Sequence, residues 1–165
     1  MIIQATKKLR DYLKSAAEPY PDEHDRLAHW HGNIITLRRR KLILLTHDRC
    51  RYTLALYPAK RGKGVALTKC FLERLDEQLA YEDFGDVERA TMIELQSNEL
   101  AITITSSRRV LGTMTQMAFE MNVDGVEALS ELEISKELNH RLYSMEDDDP
   151  YERPERMLRR LLAQR

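Results

Sequence analysis

The chain is poor in the residues that usually announce chemistry. Its 165 residues include two cysteines, Cys50 and Cys70, with no CxxC spacing. That usage excludes a disulfide framework and a cysteine zinc site, and both thiols are expected to be reduced and at least partly buried. HExxH and GxSxG are absent, and the RGKG stretch lacks the spacing and the final Ser or Thr of a phosphate-binding P-loop. No apolar run approaches the ~20 residues of a membrane span. The opening MIIQATKKLR lacks the order of basic, apolar and small-residue regions that marks a secretory signal, so a cytoplasmic protein without membrane association is expected. Internal repeats and low-complexity tracts are also missing.

What is present describes an ordinary globular domain. Hydrophobic residues make up 42% and charged residues 32%, enough for a core without disulfide or metal support. Net charge is −1, yet residues 1–64 carry +8 and residues 65–165 carry −9. Either the two parts fold on one another, or the first presents a basic surface to an acidic partner or a nucleic acid. The basic candidates are Arg38, Arg39, Arg40 and Lys41 at one turn, with Lys60, Arg61 and Lys63 in the next loop. Stacking aromatics are scarce nearby, with Trp30, Tyr52 and Tyr57 expected at least half-buried, so nucleic acid is the less favoured partner.

The pattern predicts an α+β fold. MIIQAT reads as a short strand, and Thr6 caps a helix over 7–17. NIITL, KLILLTH and RYTLALYP form three strands joined by short connections, hence an antiparallel meander. TMIELQ and ELAITIT are candidates for a second hairpin, giving an antiparallel sheet of about five strands. Helices are expected over 65–80, where Leu67, Cys70, Phe71 and Leu75 make a stripe, and over 107–121, where Val110, Met114, Met117 and Met121 make another. Gly112 inside the latter suggests close approach to another backbone. Residues 124–145 read as a loop or short helix. Residues 1–146 form one domain, and 147–165 carry a C-terminal amphipathic helix docked on it.

Three segments hold candidate chemistry. HWHGN places His29 and His31 two apart on one face of a strand. Two histidines fall short of the three or four ligands of a zinc site, so no metal and no cofactor is expected. Across the ladder, Asp48 or His47 is expected opposite His31. SSRRVLGT sets Arg108 and Arg109 in the first turn of a helix, where the dipole disfavours cations; either both reach back to acids of the C-terminal half, or a bound anion resolves the conflict. Ser106 or Ser107 is the cap.

The ordered set MIIQATKKL, WHGNI, ILLTHDRCRYTLAL, TSSRRVLGTMTQMAF and ELNHRLYSM…PYERPERML resembles a family of uncharacterised bacterial proteins. Its members carry an M-I…T-K-K-L opening, W-H-A-N-L, a strand ending T-N, N-R-S-V-x-G-S-M-N-D, and late L-N-E-x-P and P-R-E-A-F-like segments. The likeness covers nearly the whole chain and implies a domain of unknown function, with no reaction, cofactor or substrate attached. Trp30, His31, Asn33, Arg108, Val110, Gly112 and Met114 match the pattern. His29 lies outside it, His47 stands where asparagine is usual, Arg109 replaces serine, and Thr115 and Gln116 replace Asn-Asp. The WHxN and RxVxGxM segments are expected to meet, with Trp30 packing, His31 or Asn33 hydrogen-bonding, and Arg108 anchoring a phosphate or a carboxylate, the cluster being purely structural if that carboxylate is an internal Asp or Glu.

The leading functional expectation is a non-enzymatic binding or regulatory module acting on a protein or other macromolecular partner. The alternatives are a small enzyme acting on a phosphorylated or nucleotide-like substrate through His31 and Arg108, and a nucleic-acid-binding protein.

Overall fold

Strand β1 (Ile2–Ala5) is buried along its whole length, and Thr6 then starts helix α1 (Lys7–Leu13), its side chain accepting Leu9 N. The computed structural model describes residues 1–20, 25–37, 39–57, 64–96, 100–105, 107–125, 129–145 and 151–165, and of residues 64–66 the backbone. Helix α1 ends four residues short of the expected 17, at Lys14, which takes a left-handed φ of 54° as the cap. A 3-10 turn over Arg26–Ala28 leads into β2 (His29–Leu37), followed by β3 (Arg40–His47) and β4 (Thr53–Leu56).

The remaining elements are helices α2 (Gly64–Tyr81) and α3 (Asp86–Gln96), strand β5 (Ala101–Ile104), then helices α4 (Arg108–Asp124), α5 (Glu131–Asn139) and α6 (Pro154–Leu162). The five strands form one sheet in the order β4-β3-β2-β1-β5. The meander β2-β3-β4 is antiparallel as expected, but β1 runs parallel to both β2 and β5. The sheet is therefore mixed, because β1 reaches β2 through a helical crossover, the connection a parallel pair requires.

The second hairpin is also corrected. TMIELQ belongs to α3, with Met92 and Gln96 buried four residues apart; a six-residue run of mixed polarity fits both periods, and tertiary packing selects the helix. The third correction is Cys70, which is exposed. The buried stripe of α2 follows Leu67, Phe71, Leu75 and Leu79, and this strict four-residue step turns Cys70 outward.

Successive residues of each strand face opposite sides, so the sheet divides the core in two. One side packs Trp30, Ile34, Ile43, Leu45 and Leu54 against α1, α2 and α6, with Met157, Leu158, Leu161 and Leu162 of α6 buried there. The other packs Ile35, Leu37, Leu42, Leu44 and Ala55 against the methionines of α4 and Ile134 and Leu138 of α5. Burying each such side chain contributes about 1.5–3 kcal/mol.

The free edge of β4 is closed by side chains rather than by another strand. Glu131, Ser135 and Asn139 stand one turn apart on α5 and accept the backbone N–H groups of Tyr57, Ala55 and Thr53 respectively. Arg74 holds the second oxygen of Glu131 at 2.8 Å. An uncovered strand edge invites pairing with another chain, and this polar row satisfies it from within.

Candidate functional site

The ladder register decides what surrounds His31. Leu37 pairs with Arg40, leaving two residues in the turn, and this sets Thr46 opposite His31 and His47 opposite Trp30. The expected partners, Asp48 or His47, are thus displaced from direct opposition, because the tight turn fixes the register by the residues it leaves out. Asp48 still reaches His31, since both lie on the same side of the sheet.

Carried across the strands, this register lines up Thr53, Thr46, His31, Gln4 and Thr103 on one face. All are at most 5% exposed. Thr46 and Thr53 share a 3.0 Å hydroxyl contact, and Thr53 Oγ1 also donates to the carbonyl of Arg51 at 2.8 Å. Thr103 Oγ1 has no hydrogen-bond partner among the described residues. A polar line through a buried sheet is costly unless its members are paired, so each bond here matters for stability.

At its centre, His31 is wholly enclosed and held from both sides. Its Nε2 lies 2.8 Å from Asp48 Oδ1, and its Nδ1 lies 3.0 Å from Thr105 Oγ1. Nε2–H can donate to the carboxylate, while Nδ1 faces the threonine hydroxyl, a group able to donate or to accept. The His31 hydrogen bond, against the opposing effect of burial, holds the Asp48 carboxyl below its ordinary range. Asp48 remains 31% exposed, so it is the solvent-facing end of the chain of contacts. His31 thus contacts Thr105, 74 residues on, which lies just before the RxVxGxM segment and not within it.

Trp30 points to the opposite side of the sheet, as its neighbour on a strand must. Its Nε1 donates to Gln96 Oε1 at 3.0 Å, and Gln96 Nε2 donates to the carbonyl of Leu27 at 2.8 Å. His47 Nε2 donates to that same carbonyl at 3.2 Å, while its Nδ1 accepts Cys50 N at 3.3 Å and contacts Cys50 Sγ at 3.1 Å. Burial lowers the His47 pKa from 6.5 to about 4 and pushes the Cys50 thiol up to about 12. A neutral imidazole beside a neutral thiol is inert packing, the opposite of an activated cysteine.

The rest of HWHGN is equally occupied. Asn33 Oδ1 accepts from Thr6 Oγ1 at 3.0 Å and from Ile34 N at 2.9 Å, tying β2 to the cap of α1. Gly32 lies under α1, where a Cβ would come within 2.6 Å of a Leu9 methyl and 3.0 Å of an Ile3 methyl. His29 Nδ1 lies 2.8 Å from the Tyr20 hydroxyl. Among the described residues, no group of three or more His, Cys, Asp or Glu could hold a metal.

In the second segment Ser107 is the cap of α4, accepting Val110 N at 3.3 Å. Arg109 is half-buried and donates to Ser144 Oγ at 3.1 Å, linking α4 to the segment after α5. Arg108 is exposed, and among the described residues no carboxylate pairs with it. It shares no open pocket with Trp30 or His31, both of which are fully buried. Gly112 is open, with nothing within 4 Å of a built Cβ, so the expected close approach of another backbone is corrected.

These motifs stand inside the span of one family model, the domain of unknown function DUF6933, which matches residues 2–157. The chain belongs to this family. No curated protein and no solved structure matches it. In this DUF6933 chain, the polar strand residues Gln4, Thr46, Thr53 and Thr103 and the partner Thr105 escaped notice in the sequence. Their signal was a lone polar residue inside each apolar run.

The open chemistry lies at the other end of β2. Arg38, Lys60, Arg61 and Lys63 fall outside the described residues. Arg39, Arg40 and Lys41 are exposed at the β2–β3 turn. Arg39 takes a left-handed φ of 75°, Arg40 lies 3.8 Å over the Tyr57 ring, and Lys41 Nζ donates to Thr36 Oγ1 at 3.1 Å. Between this turn and α1 runs a groove lined by Lys8, Asp11, Tyr12, Ile34 and Lys41. No helix among the described residues is long and apolar enough to cross a membrane.

Proposed function

We propose that this domain is a non-enzymatic binding module that takes an acidic protein partner at the basic end formed by α1 and the β2–β3 turn. One contrast carries the reading. The residues with catalytic potential, His31, His47 and Cys50, are fully enclosed and hydrogen-bonded inside the molecule. The cations Lys8, Arg39, Arg40 and Lys41 instead stand in solvent beside an open groove. Charge on an exposed surface of one sign raises association rates and selects partners of the other sign. Protein is favoured over nucleic acid because stacking faces are scarce near this end: Tyr57 is covered by Arg40, leaving only the half-buried Tyr12 ring among the described aromatics there.

Cross-linked capture with wild type and with the Arg39→Glu/Arg40→Glu variant tests this. Acidic proteins enriched by wild type should be lost from the variant at unchanged melting temperature. Identical recovery from both proteins removes the reading.

A second reading has its own observation. Asp48, His31 and Thr105 form a carboxylate–imidazole–hydroxyl series, the order in which triads move protons. It supports a small enzyme acting on a phosphorylated substrate near Arg108. Turnover on a phosphoester panel that vanishes in Thr105→Ala would favour it over the binding module.

A further inference from the structure

The groove beside α1 has a construction of its own. Its floor is the half-buried ring of Tyr12, since the neighbouring Ile34 is only 1% exposed, and Lys8 and Lys41 stand exposed on its rim. Its one carboxylate, Asp11, is engaged by Lys7 at 2.6 Å, so it subtracts little from the positive rim. The cavity is about 340 Å³ and open to solvent along one side. That volume is at the lower limit of ligand sites and suits a side chain or two of a segment passing across it. An apolar floor between two ammonium groups matches an apolar side chain flanked by carboxylates, and no ligand of one kind alone satisfies both.

We infer that this groove seats a single apolar side chain of an acidic partner segment against the Tyr12 ring, with the flanking carboxylates held by Lys8 and Lys41. This rests on the binding-module reading and adds the sequence character of the partner. Arg39 and Arg40 lie farther along the turn and contribute long-range attraction. Lys8 and Lys41 contact the segment directly. Binding is therefore salt-sensitive through the whole basic end and sequence-sensitive at one position.

Fluorescence anisotropy of the full chain with a labelled peptide, a leucine between two runs of three glutamates, tests the inference. The control peptide has serine at the centre. The leucine peptide should bind about fivefold more tightly, the effect of partly burying one aliphatic side chain. Lys8→Glu with Lys41→Glu should weaken it about tenfold or more by placing like charges in contact. Both lysines are exposed, and unchanged Trp30 fluorescence and melting temperature would confirm an intact fold. Equal affinity for the two peptides overturns the groove assignment while leaving charge-driven binding standing. If charge reversal has no effect, both fall. Tighter binding of single-stranded RNA through the same lysines overturns the assignment to a protein segment. Loss of self-association on the same reversal does so too, by making a second copy the occupant. Absence of binding at millimolar peptide also overturns it.

Discussion

Asn139 grips the backbone of Thr53 with both ends of its amide. Its Oδ1 accepts Thr53 N at 2.7 Å, and its Nδ2 donates to Thr53 O at 3.2 Å. The same Nδ2 donates to the buried Glu82 Oε1 at 2.9 Å, which also receives Gln78 Nε2 at 2.6 Å and the Tyr52 hydroxyl at 3.1 Å. Burial raises the Glu82 carboxyl above its ordinary pKa against these three donors and the nearby His140. Asn139→Ala leaves two buried backbone groups unpaired and should cost about 2–4 kcal/mol in urea unfolding. Asn139→Asp should cost more at neutral pH, because it sets a second carboxylate beside Glu82 and loses the donor. Full stability in both variants would show that α5 does not hold β4 through this residue.

Stability should fall on mild acidification, and His47 sets the window. Its folded pKa is depressed from 6.5 to about 4, with burial the largest cause. Between those values the unfolded chain holds a proton that the folded chain excludes, so acid favours unfolding. The loss accumulates as pH drops from 6.5 and amounts to about 3 kcal/mol over the window. His47→Gln should flatten this slope when urea midpoints are measured across it. The Asp48 carboxyl is lowered instead, so its contribution is present above 3.8 and disappears only below that value. The two residues therefore act in separate ranges.

Gly32 and Gly112 should respond with opposite signs. At Gly32 a methyl group would meet Leu9 and Ile3 at 2.6 and 3.0 Å, and overpacking of this kind costs about 1–3 kcal/mol. At Gly112 the methyl meets nothing within 4 Å on an exposed helical surface, and alanine should add about 1 kcal/mol. Thermal melting of Gly32→Ala and Gly112→Ala reads both directly. Matching shifts would contradict the packing described for α1 over Gly32.

The cysteines should separate by rate. Cys70 is exposed and should react with a thiol reagent in the native protein. Cys50 is buried with its thiol pushed up to about 12, so it should react only on unfolding. Two equivalents consumed at once under native conditions would place Cys50 outside the core.

Much of the scaffold could be read directly because its signals are periodic. The methionine stripe of α4, the Thr6 cap and the meander all follow from spacing that one local structure accounts for. The parallel seating of β1 and β5 could not, because pairing across a sheet depends on which helical crossover packs best, and no residue in MIIQAT states its neighbours. TMIELQ failed for a related reason, being too short to separate two periods. At the candidate site, the sequence marked Trp30, His31 and Asn33, and strand alternation sets Trp30 on the face away from His31. It was silent on Thr105, which closes on His31 only through the folded register. Lys8 reads as an ordinary helix residue and Tyr12 as part of the apolar side of that helix until the groove beside them is seen.

The residues that close the β4 edge arrive late in the chain. Tyr57, Ala55 and Thr53 wait 74, 80 and 86 residues for Glu131, Ser135 and Asn139. On the ribosome, the meander can assemble well before those acceptors are synthesised. Through that interval a nascent chain presents an apolar sheet with an unfinished border, and neighbouring nascent chains are its competitors for pairing. Slowing elongation between residues 57 and 131 should lengthen that exposure and lower soluble yield, whereas a chain already released should refold without the penalty.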